Sequence, residues 1–174
     1  DDTLAARFGC RPDELRPWHH DNVFFQAPPA LDGLDLDAWF ADADLVALTE
    51  ATFAGIGLDV APIVANSDLW PRPGKNQHAF CADLDRAGDI RVLANVVANE
   101  EWAEVLLHEM GHAVYDQGID HALPWGLRTC HPLTTEGVAM MFEKLVREPG
   151  WLATVAGVPA DEVAARAPAL DAAR

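Results

Sequence analysis

Basic residues are scarce in this chain: 12 Lys and Arg stand against 28 Asp and Glu, a formal charge of −16 over 174 residues. That balance excludes a nucleic-acid backbone as partner, because there is no basic patch to displace its counterions. No apolar run approaches the roughly 20 residues that cross a bilayer as a helix, so no membrane partner is expected either. Cysteine is limited to Cys10, Cys81 and Cys130, odd in number, widely spaced and without a CxxC pair. Reduced, mostly buried thiols in a cytoplasm are the expectation. The acidic start lacks a signal-peptide pattern, a leader already removed being the alternative. Repeats and clear domain boundaries are also missing, and the length suits one domain spanning residues 1–174.

What is present is concentrated in His108-Glu109-Met110-Gly111-His112. Average residue usage would place H-E-x-x-H by chance in on the order of one such chain in a few hundred. On a helix, about 3.6 residues per turn stacks His108 over His112 on one face. Two imidazoles so placed can grip one Zn²⁺, with Glu109 beside the water in the metal's open position. The surroundings predict the helix. Asn99 is an N-cap, Glu100 and Glu101 favour the positive end of the dipole, and Trp102, Val105, Leu106, Met110, Ala113 and Val114 form an apolar face. Gly118 follows as a residue able to adopt positive φ, which sets the helix at Glu100–Gln117. Glu104 and Asp116 lie one turn before and after the histidines. Either could accept a histidine N–H and fix its tautomer, solvated helix charges being the alternative.

A catalytic zinc site needs a third protein ligand. Residues 134–145 read as a second helix with threonine caps, and Glu136 stands in its first turn, 24 residues after His112. A carboxylate beside apolar neighbours is costly to bury unless paired or metal-bound. Alone it reads equally as a capping-box residue; with the HExxH helix upstream, it reads as the ligand. Cys130-His131 is the weaker alternative, since zinc peptidases with a catalytic water use His₂Glu.

Elsewhere the chain reads as mostly helical. Residues 2–8 form a short helical candidate stopped by Gly9, and Ala27-Pro28-Pro29 is a break. From Asp35 or Asp37, the spacing of Trp39, Phe40, Ala43, Val46, Ala47 and Phe53 predicts one helix that ends near Gly55. Residues 61–65 are a short extended candidate. Residues 77–83 and 89–96 read as two strands around a glycine-containing turn. His121 and His131 lie in a long connection, residues 118–132. His19-His20 is a poor metal site because adjacent side chains diverge. Trp125 alone among six tryptophans is a candidate for a substrate pocket. Pro168 breaks the helical stretch that begins at Asp161.

His108-Glu109-Met110-Gly111-His112-Ala113-Val114-Tyr115, then Leu123-Pro124, Leu127-Arg128, Pro132 and Glu136, resembles the zinc region of angiotensin-converting-enzyme-like peptidyl-dipeptidases. The thimet oligopeptidase and oligoendopeptidase families share this gluzincin plan. His78-Ala79-Phe80-Cys81, Asp85-Arg86-Ala87-Gly88 and Asp89-Ile90-Arg91-Val92 extend the likeness upstream, so it covers residues 75–145. The stretch from Leu15 through Trp18 and His19-His20 to Phe24-Phe25-Gln26 also looks like bacterial members. Thr135 and Met140 depart from the pattern. They stand where the angiotensin-converting enzymes carry a histidine and an aspartate that supports a zinc-binding histidine.

The resemblance implies a mainly α, gluzincin-like catalytic core with a small antiparallel β-hairpin near the zinc site. In it His108, His112 and Glu136 hold one Zn²⁺, Glu109 is the general base, and His78 with the Ala79 backbone holds an extended peptide. The tyrosine and histidine that stabilise the oxyanion in the family lie beyond the third ligand, outside this chain. Tyr115, the sole tyrosine, does not stand at the family's oxyanion position. The expectation is therefore the metal-binding core of a larger peptidase, weakly active or inactive alone and completed by the rest of that enzyme. A non-catalytic zinc- or peptide-binding module is the alternative.

Overall fold

Helices make up most of the computed structural model, which describes residues 5–6, 8–16, 19, 35–129 and 131–172. The chain divides into two units, Asp1–Leu34 and Asp35–Ala172. In the first, residues 5, 6 and 8 are helical and Gly9, at φ 63°, stops the helix as expected. Pro12–Glu14 is a 3-10 turn closed by the Arg11 N–H, which donates to the Glu14 carboxylate at 2.9 Å. Trp18, His20, the Phe24-Phe25-Gln26 run, the Ala27-Pro28-Pro29 break and Cys130 lie outside the described residues.

The second unit opens with two helices where the spacing had predicted one: α1 (Asp37–Phe40) and α2 (Leu45–Ala54). Asp44 causes the break, because its carboxylate accepts the Ala47 N–H at 3.0 Å and caps a new helix. The extended candidate at 61–65 is instead helix α3 (Ala61–Asn66). Pro62 suits a first turn, the Asp59 carboxylate takes the Ala61 N–H, and Val60 and Ile63 bury at helical rather than alternating spacing.

The hairpin forms as β1 (Phe80–Asp83) against β2 (Ile90–Leu93), shorter than the runs assigned to it. The strands are antiparallel, with Phe80 opposite Leu93 and Asp83 opposite Ile90. The turn needs Gly88, at φ 110°, and Asp85 ties it by accepting the N–H groups of Ala87 and Asp89. Behind β2, the buried Lys75 ammonium donates to the carbonyls of Asp68, Trp70 and Ala94 and to the Asp68 carboxylate. A buried charge is tolerable there because each N–H finds an oxygen.

Helix α4 spans Glu100–Gln117 as expected, with the Asn99 side chain accepting the Trp102 N–H at 2.9 Å. Its C-cap differs from expectation: Gly118 sits at φ −78°, its N–H shared between the Val114 and Tyr115 carbonyls. The left-handed turn is unnecessary because the helix tightens at its end. Helix α5 is Pro132–Glu143, capped by the His131 ring rather than a threonine, and continues as a 3-10 turn, Lys144–Arg147. Helices α6 (Pro149–Thr154) and α7 (Ala160–Ala172) follow. Pro168 does not break α7: Val163 and fully buried Leu170 hold both sides of the proline in the core.

Phe40, Phe53, Leu106, Leu107, Met110 and Leu152 are fully buried and form the centre of the unit. The architecture is mainly helical with one small antiparallel hairpin, as the sequence implied. Among the described residues no helix is long and apolar enough to cross a membrane.

Candidate metal centre

The site is built where α4 and α5 pack most closely. Gly111 allows that approach: a Cβ there would stand 2.7 Å from the Ala139 Cα and 3.2 Å from the Phe142 ring. The contact brings α5, and Glu136 on it, over the His108–His112 face. Nε2 of His108 lies 3.1 Å from Nε2 of His112, and Glu136 Oε2 lies 3.5 and 3.7 Å from them. Zinc bonds of about 2.0–2.1 Å at tetrahedral angles put two ligand atoms roughly 3.3–3.5 Å apart. The three separations bracket that spacing. Among the described residues this is the group of three whose donor atoms converge, so it can hold a metal ion.

The far nitrogens face α5 as well. His108 Nδ1 lies 2.6 Å from Glu143 Oε2, and His112 Nδ1 lies 2.6 Å from Thr135 Oγ1. These are the orienting partners expected of Glu104 and Asp116, and the structure corrects that assignment. Glu104 binds Arg147 at 2.9 and 3.3 Å, a half-buried cation that also reaches Glu100 at 3.3 Å. Asp116, half-buried, has its pKa raised by burial and then by Asp83, with no histidine in hydrogen-bond reach. Thr135, Glu143, Gly111 and Arg147 are the positions around the cluster that sequence reasoning missed. The signal was there: Glu143 stands seven residues after Glu136, two helical turns along the same face.

No family model and no curated relative matches the chain.

Glu109 is buried at 8% exposure beside the histidines. Burial pushes its pKa up, His108 and His78 pull it down, Glu136 pushes it up, and the Cys81 backbone N–H hydrogen-bonds it; the net shift is upward. A carboxylate so raised is a stronger proton acceptor than an exposed one. Burial lowers the pKa of His108, yet the Glu143 hydrogen bond and three nearby carboxylates outweigh it and the result is a rise. His112 is lowered, by burial and then by His108. His108 and His112 are 21 and 15% exposed and Glu136 is 42% exposed, so the cluster opens to solvent on the Glu136 side.

The remaining candidates sort themselves by contact. His78 lies in an exposed bend just before β1, near enough for its charge to act on Glu109, and Ala79 is buried. His131 is spent on capping α5, and His121 packs against Gly88. The His19 ring accepts the Arg16 N–H. Trp125 is 61% exposed, with the Arg86 guanidinium 4.6 Å from its ring centroid. Trp39 and Trp151 are structural, hydrogen-bonded to Glu162 and Thr52.

Proposed function

We propose that this protein is a zinc-dependent peptidase of the gluzincin type, acting on short peptides. The observation that carries the reading is the convergence of His108, His112 and Glu136 with Glu109 buried alongside. The donor set fits the metal: two imidazole nitrogens and one carboxylate oxygen are the three-ligand pattern of catalytic zinc, which leaves a position for water. It also fits by charge. Two imidazole nitrogens and a carboxylate oxygen facing one point call for a cation or a proton between them.

Bound zinc supplies Lewis acidity, polarising the scissile carbonyl and lowering the pKa of its water. Glu109 would accept a proton from an attacking water and hand it to the leaving amine nitrogen. His108 and His112, with their Nδ1 atoms against Glu143 and Thr135, would hold the ion together with Glu136. His78, whose charge reaches Glu109, and the Ala79 backbone next to it in sequence are suited to hold the substrate in extended form along β1.

The test combines metal analysis with turnover of an internally quenched peptide. Wild-type protein is expected to bind one zinc per chain and to cleave weakly, but above the rate of zinc in solution. Glu109→Gln should retain the zinc and lose about 10²–10⁴-fold in rate. A Glu109→Gln protein that cleaves normally overturns the mechanism. Zinc binding with no cleavage by wild type supports the non-catalytic module instead.

A further inference from the structure

We propose that Glu143 is a positioning residue that presets His108 as a metal ligand, an inference that rests on the zinc reading of the site. An ionised carboxylate only accepts hydrogen bonds. Its 2.6 Å approach to His108 Nδ1 therefore places the proton of the neutral imidazole on Nδ1 and leaves Nε2 bare. Nε2 is the atom that faces His112 Nε2 at 3.1 Å and Glu136 at 3.5 Å. The opposite tautomer would aim an N–H at the metal position and an unshared pair at Glu143. Neither end of the ring tolerates that.

The arrangement is built rather than incidental. Glu136 and Glu143 sit two turns apart on α5, so one rigid helix delivers both the third ligand and the orienting carboxylate. One turn further, Arg147 bridges Glu104 at 2.9 Å and Glu100 at 3.3 Å. Glu100, Glu104, His108 and His112 recur every four residues along one stripe of α4. Arg147, Glu143 and Thr135 meet that stripe in reverse order, so the clamp at Arg147 fixes the height of Glu143 against His108.

Two measurements test the assignment. In metal-free, ¹⁵N-histidine-labelled wild type at about pH 9, where an imidazole is neutral, long-range ¹⁵N–¹H correlations should show His108 as the Nδ1–H tautomer. An Nε2–H His108 overturns the proposal. Zinc affinity is then measured by competition with a chromophoric chelator. Glutamine offers an N–H as well as a carbonyl, so Glu143→Gln frees the ring to flip. Its affinity should fall about 10–100-fold with the Nδ1–H signature lost, and Glu143→Asp should recover part of both. Unchanged affinity in Glu143→Gln, or a loss with the tautomer intact, overturns the proposal. Should that variant fail to fold, the wild-type tautomer decides alone. Wild type that binds no zinc sinks the peptidase reading, while the tautomer still decides the role of Glu143.

Discussion

Each imidazole of the HExxH pair is held at both ends, but by partners of different strength. Glu143 can only accept, so it specifies the His108 tautomer outright. The Thr135 hydroxyl, 2.6 Å from His112 Nδ1, can accept or donate and so specifies less. Removing it should therefore matter less. Thr135→Val keeps the shape of the side chain and deletes the hydroxyl; zinc affinity is expected to fall about tenfold, the weak end of the range for orienting partners. Chelator competition on Thr135→Val and Glu143→Gln side by side checks the ranking. A larger loss in the valine variant would mean that His112, not His108, is the ring whose orientation limits binding.

Helix α5 supplies Thr135, Glu136 and Glu143, so the crossing of α4 and α5 sets the geometry of the site. Gly111 is a point of close approach in that crossing. A methyl group there meets backbone 2.7 Å away, and backbone cannot rotate aside as a side-chain tip can. Gly111→Ala should push α5 outward, costing about 1–3 kcal/mol of stability and weakening zinc binding at the same time. Gly137 is the control, since a Cβ there meets nothing within 4 Å. Gly137→Ala should stabilise by up to about 1 kcal/mol with zinc affinity unchanged. Thermal melts with chelator competition separate the two outcomes; equal zinc affinity in both variants counts against the packing argument. This element also shows what could be read in advance. Helix α4 was legible from Asn99 to Gln117 because cap, dipole charges and apolar period all agreed, and the two histidines and Glu136 followed from it. The break at Asp44 was not, since a cap and an interior aspartate look alike until the helix beyond is seen. Residues 61–65 misled because β-branched Ile63 and Val64 suit a strand unless Asp59 and Pro62 start a turn. The role of Glu104 stayed open for a longer-range reason: its partner Arg147 lies 43 residues away, and no local spacing reveals that pairing.

For the whole molecule, the −16 charge means that folding gathers carboxylates against one another, and a dication at the α4–α5 centre should relieve part of that cost. Zinc binding only the folded state at about 100 times Kd adds roughly 2.7 kcal/mol, or about 5–10 °C in Tm at this size. EDTA should reverse the rise, and Glu136→Ala should not show it. The metal-free protein has its own pH dependence. Burial raises the pKa of Glu104 despite Arg147, and Glu143 and Glu100 add to the rise; Glu100 is raised in the same way, by burial first. A carboxyl whose folded pKa exceeds its unfolded value contributes stability that is complete below the unfolded value. That contribution is lost as pH rises through the folded value. Asp68 works oppositely, its pKa lowered by Arg72 and Lys75, so its contribution disappears only in stronger acid. The metal-free Tm should therefore fall as pH rises from the acid side toward neutrality, and decline again only in stronger acid, where Asp68 protonates. Glu104→Gln, which cannot ionise, should be less pH-dependent over the upper range, gaining on wild type as pH rises. Melts in EDTA across that range decide it: a wild-type Tm that is flat, or that climbs toward neutrality, would show that Arg147 neutralises the Glu100–Glu104 pair completely.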